Sequence, residues 1–478
     1  MDADEIRARL AELSAHDLPT HGGRTLAYVY DSGLADADAI GREALAMFGS
    51  TNGLDPTAFP SLPAMEQDLV AFAGRLLDAP SGFAGVATSG GTESVLLAVL
   101  AARDARPDIA APRMVLPTTA HAAFHKAAHY FRVEPVLVDV DPETKRADPD
   151  AISAAIDPNT VLVVASAPSY AHGVVDPVTP IAAAAAHAGA RCHVDACIGG
   201  WVLPFLRDDE PDQQPWAFAV EGVTSISVDL HKYGYTPKGV SLLLHRSADL
   251  RRGHFFASAA WPGYPMLNTT MQSTRSGGPL AAAWAVVNHI GAAGYRALAR
   301  RAREATLAIA TEVSGIPVLS LAAQPDSTLV SVTTDRTCDV FTIADELRAR
   351  GWYVQPQPAF RDLPATLHLS VSAATADCLD ALVGDLRSAT DAAVAAGPVA
   401  PPAQLVAALG SVGPAGLDAA TLDGLLTTAG LTGDGGSLAL PERMAPLNAL
   451  LGALPTGLRE ALLLAVLDRL TRPGSPRV

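Results

Sequence analysis

Two charged side chains and a glycine-rich turn are the residues of this chain that could do chemistry. Asp195 ends the strand-like run in "CHVDA", and Lys232 comes shortly after the next such run, "SISV". A buried lysine with a lowered pKa can form a Schiff base with a carbonyl compound. A carboxylate at the end of a buried strand needs a cationic partner, because an unpaired buried charge is costly. We therefore expect a protonated nitrogen beside Asp195, and a compound with a carbonyl group bound to Lys232.

The third feature is the turn "TSGGTES", which leads directly into the apolar helix "VLLAVLAAR". Gly90, Gly91 and Thr92 would place free backbone N–H groups at a helix N-terminus, and such groups bind phosphate. By itself the glycine pair is more typical of a tight turn than of a phosphate site. Pyridoxal phosphate needs all three features, namely an anion cradle, a carboxylate facing its pyridinium nitrogen and a lysine for its aldehyde. The three features together predict this cofactor.

The chemistry of this cofactor suggests a role for each residue. Asp195 would keep the ring nitrogen protonated, so that the ring accepts electrons from a carbanion formed at the substrate's α-carbon. His121, in "TTAHAAFHKAAHYF", is a candidate for stacking on the ring. A histidine that caps the following helix is an equally good interpretation. We predict no metal site.

The elements that must position these residues alternate between strand and helix. From about residue 85 to 245, short apolar runs such as "TVLVVAS" and "VSLLL" are separated by helical stretches such as "VTPIAAAAAHAG". Strands that are apolar on both faces are typical of a mostly parallel sheet covered by helices, so the fold class is α/β. Ligands of such sheets bind at the carboxyl ends of the strands, where Asp195 and Lys232 are expected.

The chain is long enough for more than one domain. We predict an N-terminal helical and extended segment over residues 1–60 and a large cofactor-binding domain over residues 61–290. Residues 291–391 read as a smaller α+β domain, and residues 392–478 as a Pro- and Ala-rich linker with a helical extension. The extension carries no catalytic grouping, so we expect it to serve packing or dimerisation.

Composition restricts the partners and the compartment. The net charge of −16 repels phosphate backbones and anionic membranes, so we expect neither nucleic acid nor a membrane as a partner. Four cysteines without a C-x-x-C pair do not form a disulfide framework and indicate a reducing cytoplasm. The N-terminus "MDADEIRARLAEL" lacks an apolar stretch for export, and no other segment is apolar enough to span a bilayer.

The chain resembles the group II pyridoxal phosphate decarboxylase family, and within it the sphingosine-1-phosphate lyase branch. The similar segments, between about residues 23 and 385, include "NGLDPTAFPSLPAMEQDLV", "TSGGTES", "APSYAHGVVDP", "HVDACIGGW" and "SVDLHKYGYTPKG". The resemblance implies a fold type I enzyme, like aspartate aminotransferase, that forms a homodimer with active sites at the subunit interface.

The resemblance also implies roles for individual positions. Lys232 would be the Schiff-base lysine, Asp195 the partner of the pyridinium nitrogen and His121 the stacking residue. Gly91, Thr92 and His231 would hold the cofactor phosphate.

Two departures from the lyase branch concern the substrate. Relatives read Asn-Pro-Leu-His where this chain has "NGLD", so that Asp55 replaces a histidine that meets the substrate phosphate. Tyr30 and Lys238 match the family's other phosphate-binding positions. Arg275 persists in "GYPMLNTTMQSTRSGG", but the loop around it is longer than in relatives. We therefore expect Tyr30, Asp55, Lys238 and Arg275 to contact the substrate. The phosphate site is weakened rather than erased, so a phosphorylated and an unphosphorylated substrate both stay open.

Three functions stay open at this point. The first is retro-aldol cleavage of the Cα–Cβ bond of a β-hydroxy amine, and the second is decarboxylation of an amino acid. The geometry that selects the bond to be broken is not determined by sequence. The third is a scaffold without catalysis, which the retained charged residues disfavour because an unused buried charge is costly.

Overall fold

The computed structural model describes residues 1–401, 403–412, 421, 424 and 441–471. The chain divides into two compact units. The first unit comprises Met1–Thr311, Leu321–Ser331 and Leu369–Leu379, and the second comprises Glu312–Ser320, Val332–His368 and Asp380–Val478. The four-part domain division drawn from the sequence stays a prediction, because compactness alone does not identify segments that fold independently.

A seven-stranded sheet forms the centre of the first unit, in the order β1-β7-β6-β5-β4-β2-β3. Its strands are β1 (Ala84–Thr88), β2 (Arg113–Pro117), β3 (Glu134–Val138), β4 (Thr160–Ser166), β5 (Arg191–Asp195), β6 (Val223–Asp229) and β7 (Ser241–His245). All five residues of β1 and of β7 and all seven of β4 are buried, as expected for strands covered on both faces. The predicted α/β class and mostly parallel sheet are confirmed.

The one antiparallel strand of this sheet, β7, has a consequence for the site. It pairs antiparallel with both β6 and β1, whereas β2 to β6 pair parallel with their neighbours. A parallel return would require a long crossover, usually a helix. The connection from Asp229 to Ser241 is short and contains only turns, and it carries Lys232. The lysine therefore lies at the carboxyl end of β6.

Helices cover this sheet and precede it. They are α1 (Ala3–Leu13), α2 (Ala35–Met47), α3 (Ser61–Leu76), α4 (Gly91–Asp104), α5 (Ala123–Phe131), α6 (Pro149–Ala155), α7 (Val178–His187), α8 (Leu203–Leu206), α9 (Ala248–Arg252) and α10 (Gly277–Ser314). Between α9 and α10, β8 (Phe256–Ser258) and β9 (Met266–Asn268) form an antiparallel hairpin. Helix α10 is broken at Gly291, whose φ of 62° favours glycine.

The remaining strands and helices follow α10. Strands β10 (Leu319–Leu321), β11 (Leu329–Thr334), β12 (Gln355–Gln357) and β13 (Thr366–Ser370) form a sheet in the order β10-β11-β13-β12. The helices are α11 (Val340–Ala349), α12 (Leu379–Ala396), α13 (Ala403–Val412), α14 (Ala445–Ala453) and α15 (Thr456–Thr471). Within the second unit, the Asp345 carboxylate accepts the N–H groups of Met444 and Ala445 and so caps α14.

No helix formed by the described residues is both long and apolar enough to cross a bilayer. Within the same residues, no group of three or more histidine, cysteine, aspartate or glutamate side chains could hold a metal ion.

Candidate active site

A cavity of about 370 Å³ lies at the carboxyl ends of three neighbouring strands. Ser166, Asp195 and Asp229, which end β4, β5 and β6, all line it. All six residues predicted to hold the cofactor line the same cavity, and they are Gly91, Thr92, His121, Asp195, His231 and Lys232. Parallel strands bring together side chains that are far apart in the sequence, because their carboxyl ends meet at one edge of the sheet.

One wall of the cavity is the N-terminus of α4. In the part of the chain that the structure describes, the N–H groups of Gly91 and Thr92 donate to no acceptor. A Cβ at Gly91 would lie 2.8 Å from both Asp229 Oδ1 and Cys197 Sγ, so only glycine fits. Glu93 closes the turn by accepting the N–H of Ser89 at 2.6 Å. Free N–H groups at the positive end of a helix dipole form an anion site.

Lys232 is held by an aspartate that sequence reasoning missed. Its Nζ lies 2.9 Å from Oδ2 of Asp229, whose side chain is only 2% exposed. The other oxygen of this carboxylate, Oδ1, accepts the Ser241 hydroxyl at 2.5 Å. Burial alone would raise the pKa of the Asp229 carboxyl, but the charges of Lys232 and His231 outweigh it and hold the pKa below its ordinary value. The signal for Asp229 was its position at the end of "SISVD", three residues before the lysine.

The same pair corrects the expectation that the pKa of Lys232 is lowered. Burial alone would lower the pKa of the Lys232 amine, as the sequence argument assumed. The negative charge of Asp229 reverses this effect, so that the pKa lies well above its ordinary value. The amine in this structure is therefore protonated, and its proton must leave before the nitrogen can attack a carbonyl carbon.

Asp195 closes the opposite side of the cavity. Its Oδ1 accepts the N–H of Cys197 at 3.1 Å and faces the Ser227 hydroxyl at 3.4 Å. Its Oδ2 accepts no hydrogen bond from the described residues, which leaves that oxygen available to a ligand.

His121 bonds to the start of the following helix, as one of the two interpretations from the sequence expected, and its stacking on a cofactor ring stays a prediction. Its Nδ1 accepts the N–H of Ala123 at 3.1 Å and so caps the start of α5. The same side chain lines the cavity. A cap uses the nitrogen lone pair in the plane of the ring, so the ring face stays available for stacking. Capping therefore positions this residue and does not compete with a contact to the cofactor.

His231 lies against the anion cradle. Its Cε1 is 3.4 Å from the position that a Cβ on Gly90 would occupy. Its Nδ1 is buried and finds no hydrogen-bond partner among the described residues. Burial lowers the pKa of this histidine. A buried nitrogen without a partner beside free N–H groups fits a phosphate, because the phosphate would supply the missing acceptor.

Two of the four predicted substrate residues lie close to the lysine. The Lys238 ammonium is 5.1 Å from the centre of the Tyr30 ring and donates to the carbonyl oxygens of Tyr28 and His231, each at 3.0 Å. Partial burial and the charge of Lys232 lower the pKa of Lys238 to about 8. Burial raises the pKa of Tyr30, while the nearby Lys232 opposes this rise.

None of the four predicted substrate residues lines this cavity, and the remaining two, Asp55 and Arg275, bond elsewhere. Asp55 is exposed, and its carboxylate accepts the N–H and the hydroxyl of Thr57 at 2.8 and 2.7 Å. Arg275 forms an ion pair with Glu66 at 2.9 Å and donates to the carbonyl oxygen of Ala87. Arg275 lines a second, mainly apolar cavity of about 810 Å³. Both side chains have bonding partners of their own in this structure.

Two family models match the chain. Residues 20–333 match the pyridoxal-dependent decarboxylase conserved domain. Residues 403–469, some of which lie outside the described residues, match a C-terminal HTH domain of pyridoxal-dependent enzymes. The second match covers most of the extension in which sequence reasoning found no catalytic grouping.

The relatives of this chain include several proteins named sphingosine-1-phosphate lyase. The protein from Dictyostelium discoideum is 36% identical over 346 residues, which are 72% of this chain and 64% of the relative. The protein from Oryza sativa subsp. japonica is 33% identical over 398 residues, 81% of this chain and 73% of the relative. The solved structure from Burkholderia pseudomallei K96243 has 33% identity and a TM-score of 0.78, and the match covers 83% of this chain and 92% of that one.

The chain spans 64% of the length of the Dictyostelium relative, while the family model covers more than half of this chain. The solved lyase structure also confirms the predicted fold type I architecture. The cradle, the unpartnered His231 nitrogen and the Lys232 amine fit pyridoxal 5'-phosphate, the cofactor of these enzymes. The chain belongs to the pyridoxal-dependent decarboxylase family and is similar to the sphingosine-1-phosphate lyases within it.

Proposed function

We propose that this protein is a pyridoxal-phosphate-dependent carbon–carbon lyase that cleaves the Cα–Cβ bond of a β-hydroxy amine. The observation that carries this proposal is the single cavity shared by Lys232, Asp195 and the N-terminus of α4. Relatives at 33–36% identity that are named sphingosine-1-phosphate lyase support cleavage of a carbon–carbon bond. The products would be an aldehyde and a smaller amine.

Each side chain has a role that its position supports. The N–H groups of Gly91 and Thr92, with His231, would bind the cofactor phosphate, and His121 would stack on the ring. Lys232 would hold the aldehyde carbon and transfer protons at its Nζ. When bound, pyridoxal phosphate draws electrons from the bonds at the substrate's α-carbon.

The two aspartates would act on different charges. Asp229 would balance positive charge on the Lys232 nitrogen, 2.9 Å away. Asp195 would hold the proton on the ring nitrogen, for which its Oδ2 is available. Bond cleavage also needs a base at the β-hydroxyl proton, and Lys232, His121 and Tyr170 line the cavity as candidates.

The second candidate function is decarboxylation of an amino acid. It is supported by the family model, whose description names decarboxylases. Lys238, beside Tyr30, would then meet an α-carboxylate, whereas in the lyase it would meet a group on the β-hydroxy amine.

One assay distinguishes the two reactions. The purified protein is incubated with a panel of β-hydroxy amines and of carboxyl-labelled amino acids, and released aldehyde and CO2 are measured in parallel. We expect aldehyde without CO2. Release of CO2 without aldehyde would replace the lyase by the decarboxylase. A protein that turned over nothing, and whose visible absorbance was unchanged by borohydride, would be the scaffold.

We infer that the protein forms a homodimer. The β8–β9 hairpin exposes large apolar side chains, with Phe256 57% and Leu267 64% exposed, and Trp261 and Tyr264 exposed between them. Contiguous exposed apolar surface commonly marks a protein interface. Light scattering after gel filtration should give twice the mass of one chain. The Leu267→Asp variant should have the mass of a single chain. A fully active wild-type monomer would contradict this inference.

We also infer a cytoplasmic location. Cys192, Cys197, Cys338 and Cys378 are all free thiols, as is usual in a reducing compartment. Cell fractionation would test this, and recovery of the protein in an oxidising compartment would contradict it.

A further inference from the structure

Two buried polar pairs lie side by side on β5 and β6, beneath the floor of the cavity. The parallel register places His193 opposite Ser225 and Asp195 opposite Ser227. Residues two apart on a strand share a face of the sheet, so all four side chains lie on one face. His193 and Ser227 are completely buried. Burying a polar group costs free energy unless it is hydrogen-bonded, so these side chains are expected to bond to one another.

These side chains form one continuous series of contacts that ends at Asp195. Ser225 Oγ lies 2.8 Å from His193 Nδ1, and His193 Nε2 lies 3.1 Å from Ser227 Oγ. Ser227 Oγ lies 3.4 Å from Asp195 Oδ1, a long contact, and also accepts the Cys197 thiol at 3.4 Å. The series therefore connects Ser225, His193 and Ser227 to the carboxylate proposed to face the cofactor's ring nitrogen.

The carboxylate of Asp195 determines which atom donates and which accepts in each hydrogen bond of the series. An ionised Asp195 can only accept, so the Ser227 hydroxyl must donate to Oδ1. The Ser227 oxygen then accepts from His193 Nε2–H and from Cys197, and His193 Nδ1 accepts from Ser225. With the opposite direction, a lone pair of Ser227 would face the negative Oδ1, which is repulsive. Only the first direction gives Asp195 Oδ1 a second donor.

His193 is suited to this arrangement because it stays neutral. Burial lowers its pKa to about 4, although the charge of Asp195 opposes this shift. The ring is also held in place by Phe124, whose ring centre is 5.9 Å away in an edge-on contact. A neutral, fixed imidazole has one N–H and one lone pair, which matches the two serines on either side.

We propose that His193 is a positioning residue that acts through Ser227 to keep the Asp195 carboxylate directed at the ring nitrogen of the cofactor. This inference rests on the proposed role of Asp195. His193 touches neither substrate nor cofactor in this arrangement. Its Nε2–H donates to Ser227 Oγ, so that the Ser227 hydroxyl donates its own proton to the Asp195 carboxylate.

The test measures cofactor affinity without turnover. Cofactor-free protein is titrated with pyridoxal phosphate and with its 1-deaza analogue, in which carbon replaces the ring nitrogen. The ratio of the Kd of the analogue to the Kd of pyridoxal phosphate reports the interaction of Asp195 with that nitrogen alone. Wild type should prefer pyridoxal phosphate, and Asp195→Asn should lose this preference. An Asp195→Asn protein with the wild-type ratio would refute the role of Asp195, and with it the present inference.

The decisive variants are Ser227→Ala and His193→Phe. Each should reduce the ratio by about twofold to tenfold, the range expected for one hydrogen bond of ordinary net strength. The matched control is Ser94→Ala, which removes a buried hydroxyl that contacts Thr88 Oγ1 at 2.7 Å near the cradle. This control should change both Kd values equally and leave the ratio unchanged.

Two outcomes overturn the inference while leaving the proposed function intact. In both, Asp195→Asn loses the preference for pyridoxal phosphate. In the first, Ser227→Ala and His193→Phe keep the wild-type ratio. In the second, only Ser227→Ala lowers it, so that the serine acts without the histidine.

A second measurement applies where His193→Phe does not fold. The tautomer of His193 is read from nitrogen-15 shifts of histidine-labelled protein, with the signal assigned by its change in Ser227→Ala. We expect a protonated Nε2 and an unprotonated Nδ1. The opposite tautomer would overturn the inference.

Discussion

The Lys232 amine lies 2.9 Å from Oδ2 of Asp229, the residue that ends β6 and begins the turn carrying the lysine. Asp229 is buried and Lys232 is partly buried, and each partner keeps the other charged. The Lys232 amine is thereby held in protonated form beside an acceptor for its proton. Asp229 and Asp195 end neighbouring strands and line the same cavity, and Asp229 forms the ion pair with Lys232.

Replacing Asp229 by asparagine should lower the pKa of Lys232, because burial then acts without an opposing charge. We expect cofactor-free Asp229→Asn to combine with pyridoxal phosphate at lower pH than wild type, but to lose at least about tenfold in turnover, equivalent to about 1.4 kcal/mol. The pH dependence of the combination rate is the measurement. Ser241→Ala removes one hydrogen bond to the same carboxylate and should shift this pH dependence less than Asp229→Asn does. An unchanged profile would contradict this role.

Lys232→Ala should abolish turnover, because no other amine replaces the covalent partner. It should also destabilise the cofactor-free protein by about 3 kcal/mol at pH 7, since Asp229 is left buried and unpaired. Urea unfolding checks this, and Asp229→Asn in the same chain should recover much of the loss. Turnover near the wild-type rate would end the assignment.

Asp195→Asn should still bind cofactor through the cradle of α4 but lose more than about tenfold in rate, because an amide cannot hold the ring nitrogen protonated. Steady-state kinetics at saturating cofactor measure the effect. A smaller loss would show that the ring nitrogen does not need this carboxylate.

Stability should fall between about pH 6.5 and pH 4, because His172, His193 and His254 are buried and burial lowers each pKa to about 4. In this window the unfolded chain binds more protons than the folded chain, so stability increases with pH. The measurement is urea unfolding of the cofactor-free protein at pH 7 and pH 5. His254→Asn should lose less stability than wild type between these values. An equal loss would exclude His254 as a contributor.

Asp55→His tests whether the substrate carries a phosphate. Asp55 bonds to Thr57 in its own loop, and an anion beside a bound phosphate would oppose binding. We expect the change to be neutral or harmful for an unphosphorylated substrate. Values of kcat/KM for phosphorylated and unphosphorylated β-hydroxy amines decide this. Wild type that prefers the phosphorylated compound, and loses the preference when Lys238 is neutralised, would contradict the expectation.

The sequence alone determined the parts of this protein that depend on local patterns. Apolar runs alternating with helices predicted the α/β fold, and a parallel sheet collects ligands at one edge. Asp195 at a strand end, the turn at Gly91 and Lys232 after the next run were therefore predicted to meet, and they line one cavity. A cofactor with three distinct chemical groups made the combination specific.

Only the tertiary structure decided which partners these residues have. The short return to β7 places Asp229 beside Lys232, and that charge reverses the pKa shift that burial alone would cause. Arg275 pairs with Glu66, a residue distant in sequence. The register of β5 against β6 aligns His193 and Ser227 behind Asp195. Such contacts depend on how strands pair and which side chains face each other, and a local sequence pattern contains neither.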